Sequence, residues 1–300
     1  MRATTPVSPR SHEAEPPTER QVAVSPWGRA AMLILALAGG LAIFVFGSPW
    51  YDVFETNSNP TYSAGLVAVF AIVAIVLRLR PSLAVYVPAV YALFVAAAAN
   101  LVLVIGPFYG LMDSADARVS LAQEKVEQFL SVVPVILLLT WLGGRGFGWV
   151  YLQRGEPRRW LPFGLVSFGL CAAVVAFMAL RSGNSSSRLI DLAPWLLVFV
   201  AANAAMEELW FRGIFLRPYE AVLGWPAAML VTALVFGATH VNATYLPYMS
   251  AAQVAFFAGG LVSLGLGAAW AIRWGRSLWG AVLLHMGLDL FVMIEFFLYV

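Results

Sequence analysis

The sequence predicts an all-α protein: a polytopic transmembrane helical bundle of about eight or nine spans. Of the 300 residues, 61% are hydrophobic and only 11% are charged, whereas soluble domains carry roughly 25% charged residues. Apolar runs of about 16 to 25 residues recur along the chain, and each is long enough to cross a hydrocarbon core about 30 Å thick. The net charge of +2 gives no reason to expect a nucleic-acid partner, so we expect the partners to be lipid and membrane-associated proteins.

Nine candidate spans follow an N-terminal tail. Residues 1–28 are rich in Pro, Ser, Thr and Glu, so this tail is expected to be disordered. The predicted spans are 29–47, 62–78, 82–106, 129–144, 160–180, 190–210, 226–241, 251–272 and 278–299. Between the third and fourth spans, residues 107–128 are expected to form either a short interfacial helix or a solvated loop.

The arginines orient this bundle. With a cytoplasmic N-terminus, ten basic residues fall on inside connections and four on outside connections, as the positive-inside rule requires. The ten are Arg78, Arg80, Arg145, Arg154, Arg158, Arg159, Arg212, Arg217, Arg273 and Arg276. We therefore predict a multi-pass protein of the cell membrane. Lys125 is the only lysine beside many arginines, a composition that we interpret as bacterial.

Three charges lie in the apolar stretch AAMEELWFRG, namely Glu207, Glu208 and Arg212. Each would cost roughly 2.5–3.5 kcal/mol if it faced lipid at mid-bilayer, so they must pair or reach water inside the bundle. Glu208 and Arg212 are four residues apart and share a helical face. Glu207 points about 100° away from this face, so it is not the partner of Arg212 and is free for another function. Asn203, four residues earlier, lies on the same helical face as Glu207.

Two further motifs bring the histidines. His240 follows Phe236 by four residues, and His285 precedes Asp289 by four, so each pair shares one helical face. Phe236 is interpreted as packing. Ionisable groups inside a membrane indicate a functional site by default, and the C-terminal half contains several.

A spacing argument predicts that two of the motifs meet. The segment 223–226, LGWP, is a helix break; Glu207 lies sixteen residues before its start and His240 fourteen after its end. If the sixth helix continues to about residue 222, the two side chains reach the same depth. His285 joins them only if residues 243–249 dip into the bundle or the helices tilt.

Other features are given structural interpretations. The single cysteine, Cys171, excludes an intrachain disulfide and is expected to be buried. Gly259, Ser263 and Gly267 form a small-residue stripe, from which we expect close helix packing.

Two kinds of chemistry fit these residue types. A carboxylate near an imidazole can hold and deprotonate a water, which suits amide hydrolysis. A glutamate and two histidines can instead hold Zn²⁺ with water in the fourth position. The zinc motif HExxH is absent, and the sequence leaves both options open.

The three motifs resemble those of the CPBP family, the CAAX prenyl protease 2 or Abi-like group of intramembrane proteases. EExxxR matches Glu207, Glu208 and Arg212; FxxxH matches Phe236 and His240; and HxxxD matches His285 and Asp289. The resemblance covers residues 190–299 as a catalytic core, with 29–180 as accessory helices.

The resemblance implies catalytic roles for six residues. It makes Glu207 the base with help from His240, pairs Glu208 with Arg212, and has His285 and residue 289 stabilise the oxyanion. Because an ionised Asp289 cannot donate to an oxyanion, it is either protonated or orients His285. The glutamate mechanism requires no cofactor and is favoured; if zinc is used, its ligands are Glu207, His240 and His285.

The resemblance also sets the alternatives. The expected function is an intramembrane endopeptidase acting on a membrane-associated protein or peptide, with prenylated substrates not expected in a bacterium. The alternatives are a non-catalytic scaffold or bacteriocin-immunity (self-protection) protein, and a proton-coupled transporter.

Overall fold

The fold is entirely helical in the part of the chain that the structure describes. A computed structural model describes residues 24–47, 59–112, 114–240 and 250–299. Its α-helices are α1 (Pro26–Phe44), α2 (Pro60–Arg78), α3 (Val87–Ile105), α4 (Ala117–Leu142), α5 (Pro157–Arg181), α6 (Ser186–Glu208), α7 (Leu216–Leu223), α8 (Trp225–Thr239), α9 (Ala251–Gly275) and α10 (Trp279–Tyr299). Two 3₁₀ turns, Pro81–Tyr86 and Phe147–Val150, and one π-helical turn, Leu209–Gly213, complete the helical structure of these ranges. The all-α prediction is confirmed.

Eight helical segments of the described ranges are long and apolar enough to cross a membrane. This number agrees with the eight or nine spans predicted, and the protein is a multi-pass membrane protein. The predicted seventh span corresponds to α8, which has only 15 residues and is too short to count among the eight. The side on which the N-terminus lies stays a prediction.

Two predicted boundaries need correction. Helix α1 begins at Pro26 after an N-cap at Ser25, so the last residues of the predicted tail are helical; residues 1–23 of that tail lie outside the described residues. Helix α4 begins at Ala117, twelve residues before the predicted fourth span. The stretch 107–128 is therefore neither a separate interfacial helix nor wholly a loop.

Local hydrogen bonds explain why α4 begins so early despite its acidic residues. The Asp116 carboxylate accepts the backbone N–H of Arg118 at 2.9 Å and so caps the helix. The carboxylate of Glu127 accepts the backbone N–H groups of Gly110 and Met112 at 3.2 and 3.0 Å. These bonds satisfy the carboxylates, so the charges do not interrupt the helix.

The central helices are those that carry the three motifs. Helix α10 packs against α5, α6 and α9, and α8 packs against α9 and α1. The largest apolar core includes the segment 209–216, which follows directly on α6. The end of α6 therefore lies in the middle of the bundle, where its charged residues are shielded from lipid.

The predicted small-residue stripe on α9 is not where the helices approach closely. A Cβ added at Gly259 would meet nothing within 4 Å, and Ser263 is exposed. The close approach is at Gly265, where an added Cβ would lie 2.8 Å from Cα of Ala233 and 2.7 Å from Nη2 of Arg212. The prediction was wrong about the face of α9, because i, i+4 spacing identifies a stripe but not its rotation toward a neighbour.

Candidate active site

The end of α6 buries two adjacent carboxylates and the arginine that follows them. Glu207 is 8% exposed, and Glu208 and Arg212 are both 0% exposed. Nη1 of Arg212 donates to Oε1 of Glu208 at 2.9 Å. The i, i+4 pairing predicted from the sequence is present, and Glu207 lies outside it.

A π-helical turn follows these carboxylates. The backbone N–H of Ile214 donates to the carbonyl of Leu209 at 3.2 Å, an i to i−5 bond. The chain stays helical to Leu223, as predicted, but not as one α-helix, because the π turn and residues 214–215 separate α6 from α7. Such turns frequently accompany functional sites, and this one contains Arg212.

His285 of α10 lies among three carboxylates. Its Nδ1 is 2.8 Å from Oε1 of Glu208, the same oxygen that Arg212 binds. Its Nε2 is 3.3 Å from Oδ1 of Asp289 and 3.6 Å from Oε2 of Glu207. The structure thus brings the first and third motifs into direct contact. Carboxylates accept hydrogen bonds, so a His285 that carries both ring protons matches this environment on both sides.

His240 is held in place by the end of α8. Because α8 ends at Thr239, its last carbonyls lack the usual helical donors. The backbone N–H of His240 goes to the carbonyl of Gly237 at 3.2 Å, and Nδ1 lies 2.9 Å from the carbonyl oxygen of Phe236. That oxygen only accepts, so Nδ1 carries the proton and, in the neutral ring, Nε2 presents its lone pair.

The ring of Phe236 contacts both histidines. Its centroid is 4.8 Å from the ring of His240 and 5.6 Å from that of His285. The guanidinium carbon of Arg212 lies 4.0 Å from the same centroid, within the range of a cation–π contact. Phe236 packs, as predicted, and its partners are three predicted site residues. The two imidazoles therefore belong to one site, and residues 243–249 lie outside the described residues.

Asn203 is a site residue that the motifs did not identify. Its Nδ2 donates to Oδ2 of Asp289 at 3.0 Å, and its side chain is 8% exposed. The available signal was its position one turn before Glu207 on the same helical face. Asn203 and Asp289 are 86 residues apart in sequence, so nothing in the sequence indicated that they would be in contact.

These side chains line a cavity of about 350 Å³. Its polar lining includes Asn203, Glu207, His240, His285 and Asp289. The other polar side chains of the lining are Asn100, Glu124, Lys125 and Thr239, and most of the remaining wall is apolar. Glu207 and His240 reach the same cavity, in agreement with the spacing argument. Glu208 and Arg212 are not part of this wall and contact it through His285 and Phe236.

Helices outside the motif-bearing core also close the cavity. Phe44 of α1, Asn100 of α3 and Leu121 of α4 contribute to its wall. Asn100 is held by its own bonds, since Nδ2 donates to the carbonyl of Gly47 at 2.8 Å. The helices predicted to be accessory therefore help to shape the cavity.

The described residues contain no preformed metal site. Among them, no group of three or more His, Cys, Asp or Glu side chains is arranged to hold a metal ion. His285 faces carboxylates through both nitrogens, and the choice between the glutamate and zinc mechanisms stays a prediction. No step proposed below uses a metal.

A family model matches the segment that carries the three motifs. Residues 189–291, which are 103 of the 300 residues, match the family model described as type II CAAX prenyl endopeptidase, Rce1-like. This segment is similar to that family. The Rce1-like segment contains all six predicted site residues, and the resemblance drawn from the three motifs is confirmed. No curated protein and no solved structure matches the chain.

The Rce1-like segment contains the helices that carry Glu207, His240 and His285. It runs from the first turn of α6 into α10, whereas α1 to α5 precede it.

Proposed function

We propose that this protein is an intramembrane endopeptidase that hydrolyses a peptide bond of a membrane-associated protein, with Glu207 as the base that activates water. The position of Glu207 supports this most directly. Its Oε2 lies 3.6 Å from Nε2 of His285, and it shares a cavity wall with His240 inside the Rce1-like segment.

Glu207 has the properties of a general base. It is buried, lines the cavity and is not part of the Glu208–Arg212 pair. Its distance of 3.6 Å from His285 exceeds that of a good hydrogen bond, and Oε2 has no hydrogen-bond partner among the described residues. Oε2 is itself enclosed by protein, so a water in the cavity would transfer its proton to the other oxygen of Glu207, Oε1.

His240 is the second group that contacts the water. The bond from its Nδ1 to the carbonyl of Phe236 directs protonation to Nδ1, so Nε2 can accept a hydrogen bond from the same water. A fixed orientation of the nucleophile supplies part of the rate enhancement, because the reacting atoms are already aligned.

Arg212, Glu208 and His285 form a chain of charged hydrogen bonds that holds the imidazole in place. Arg212 and His285 both bind Oε1 of Glu208, which fixes the carboxylate and holds the imidazole beside Glu207. A cationic His285 would be attracted to negative charge that develops nearby.

The proposed reaction proceeds in two steps. Glu207 takes a proton from water while the water oxygen bonds to the carbonyl carbon, and the carbonyl oxygen becomes an oxyanion. The intermediate then collapses as the C–N bond breaks, and the proton on Glu207 passes to the leaving nitrogen. The products are a new carboxylic acid and a new amine, which become a carboxylate and an ammonium when the acid proton passes to the amine.

The test compares membrane proteomes of cells that carry the wild type, Glu207→Gln, Glu220→Gln or no copy of the protein. Gln has nearly the shape of Glu but is a poor base, so Glu207→Gln should reduce the formation of new N-terminal peptides by about 10²–10⁴-fold. Glu220 lies outside the cavity wall and pairs with Arg273 at 3.2 Å, so Glu220→Gln is the matched control and should cleave like the wild type.

Two results would count against the proposal. Cleavage by Glu207→Gln at the wild-type level would show that the base is a different residue. No difference between wild-type cells and cells without the protein, together with a phenotype that Glu207→Gln fully preserves, would favour the scaffold or immunity alternative.

A further inference from the structure

The proposed reaction requires a hydrogen-bond donor for the oxyanion. Preorganised donors of this kind typically supply a large part of the catalytic effect. The resemblance assigned this task to His285 and residue 289. In the structure, both nitrogens of His285 face carboxylates, and an ionised Asp289 has no proton to donate. The N–H of His240 is directed to the carbonyl of Phe236.

The amide of Asn203 has a donor in the required place. Nδ2 carries two protons, and the bond to Oδ2 of Asp289 at 3.0 Å uses one of them. Asn203 lines the cavity and precedes Glu207 by one turn, so the two side chains lie on the same face of α6. The second amide proton is thus carried by a group next to the proposed base.

Asp289 determines which way this amide points. A carboxylate accepts but does not donate, so the nitrogen of Asn203, and not its oxygen, must face Asp289. The oxygen, Oδ1, is buried and has no partner among the described residues. Asp289 also lies 3.3 Å from His285, so one carboxylate positions both the amide and the imidazole.

We propose, on the basis of the proposed function above, that Asn203 supplies the amide N–H that stabilises the oxyanion and that Asp289 is its positioning residue. An aspartate at position 289 suits this role, because the amide of Asn203 on α6 requires a hydrogen-bond acceptor on α10. Asn203 is the catalytic residue of this pair, and Asp289 acts through it.

Lys125 also lines the cavity, but its ammonium donates to Oε1 of Gln128 at 2.9 Å. The indole of Trp210 is the competing donor on α6 and the turn that follows it. Its Nε1 is buried without a partner within the described ranges, and Trp210 also lines the cavity. However, no carboxylate anchors this nitrogen, whereas its ring packs edge-on against Phe44 at 5.1 Å. Trp210→Phe removes the N–H and keeps an aromatic ring, so it separates the two candidates.

The experiment uses the full chain in proteoliposomes and a pool of internally quenched apolar peptides as the probe. Asn203→Leu removes the donor, and Asn203→Asp replaces it with a nearly isosteric acceptor. Each should lower kcat about 10²–10³-fold with KM changed less than threefold, while Trp210→Phe should keep at least a third of the wild-type kcat. Asn203→Asp serves as the primary measurement if Asn203→Leu does not fold.

An exchange variant tests the pair itself. Asn203→Asp together with Asp289→Asn restores an amide–carboxylate bond but moves the amide to α10. Thermal stability should therefore recover while kcat stays as low as that of Asn203→Asp. If the pair only held the two helices together, kcat would recover with the stability.

The proposal is overturned if folded Asn203→Leu or Asn203→Asp keeps more than a third of the wild-type kcat, if the exchange variant recovers the wild-type kcat, or if Trp210→Phe alone loses the activity. Glu207→Gln, assayed in parallel, distinguishes a failure of the Asn203 proposal from a failure of the proposed function. An inactive Glu207→Gln beside an active Asn203→Leu refutes only the role of Asn203, whereas an active Glu207→Gln refutes the proposed function.

Discussion

Replacement of Arg212 by leucine tests how much the buried ion pair contributes to the fold. Arg212 and Glu208 are both fully buried, and their closest atoms are 2.9 Å apart. At an effective dielectric constant of about 20, the attraction between unit charges at this distance is about 6 kcal/mol. Desolvation offsets much of it, and removing one partner of a buried pair typically costs about 3–5 kcal/mol.

The local geometry refines this range. In Arg212→Leu, Glu208 would keep His285 as a partner at 2.8 Å. We therefore expect the free energy of unfolding to fall by about 3 kcal/mol, the lower end of the range. Glu208→Gln combined with Arg212→Leu removes both charges, so this double variant should recover to within about 1 kcal/mol of the wild type.

The assay is unfolding by titration with SDS in mixed micelles, and Arg273→Leu is its matched control. Arg273 pairs with Glu220 at 3.2 Å at an exposed site, where an ion pair contributes at most about 1 kcal/mol. The reasoning is refuted if Arg212→Leu costs no more than Arg273→Leu, or if the double variant is as unstable as Arg212→Leu.

Three further predictions concern the cavity and its supports. Gly265→Ala would bring a methyl group to 2.7 Å from Nη2 of Arg212, so we expect the free energy of unfolding to fall by about 1–3 kcal/mol in the same titration. In the control Gly259→Ala, the added methyl group meets nothing within 4 Å, so the stability should not change. Equal losses in the two variants would contradict this packing. His240→Asn can keep a donor for the carbonyl of Phe236 but removes Nε2, so cleavage of quenched peptides should fall about 10²-fold or more without loss of stability; a wild-type rate would exclude a role for Nε2. Phenanthroline added to active proteoliposomes should leave the cleavage rate unchanged, and inhibition that added Zn²⁺ reverses would favour the zinc alternative.

The amino-acid sequence by itself determined the fold class and the residue types of the site. Long apolar runs predict spans because the hydrocarbon thickness sets the length of a helix that crosses it. Spacings of four residues predict the Glu208–Arg212 pair, since i and i+4 side chains are neighbours in any α-helix. The capping role of His240 follows from the same local geometry, because its imidazole binds the carbonyl four residues earlier.

Only the tertiary structure decided which helices supply the partners of each group. The contacts of His285 with Glu208 and of Asn203 with Asp289 depend on how α6 and α10 are tilted, rotated and offset. Spacing within one helix carries no information about these quantities, as the wrongly assigned face of α9 shows. The contact of Phe236 with His285 has the same origin. The sequence therefore identified the chemical groups, and the packing of separate helices determined which groups meet, because side chains far apart in sequence contact each other only through the relative placement of their helices.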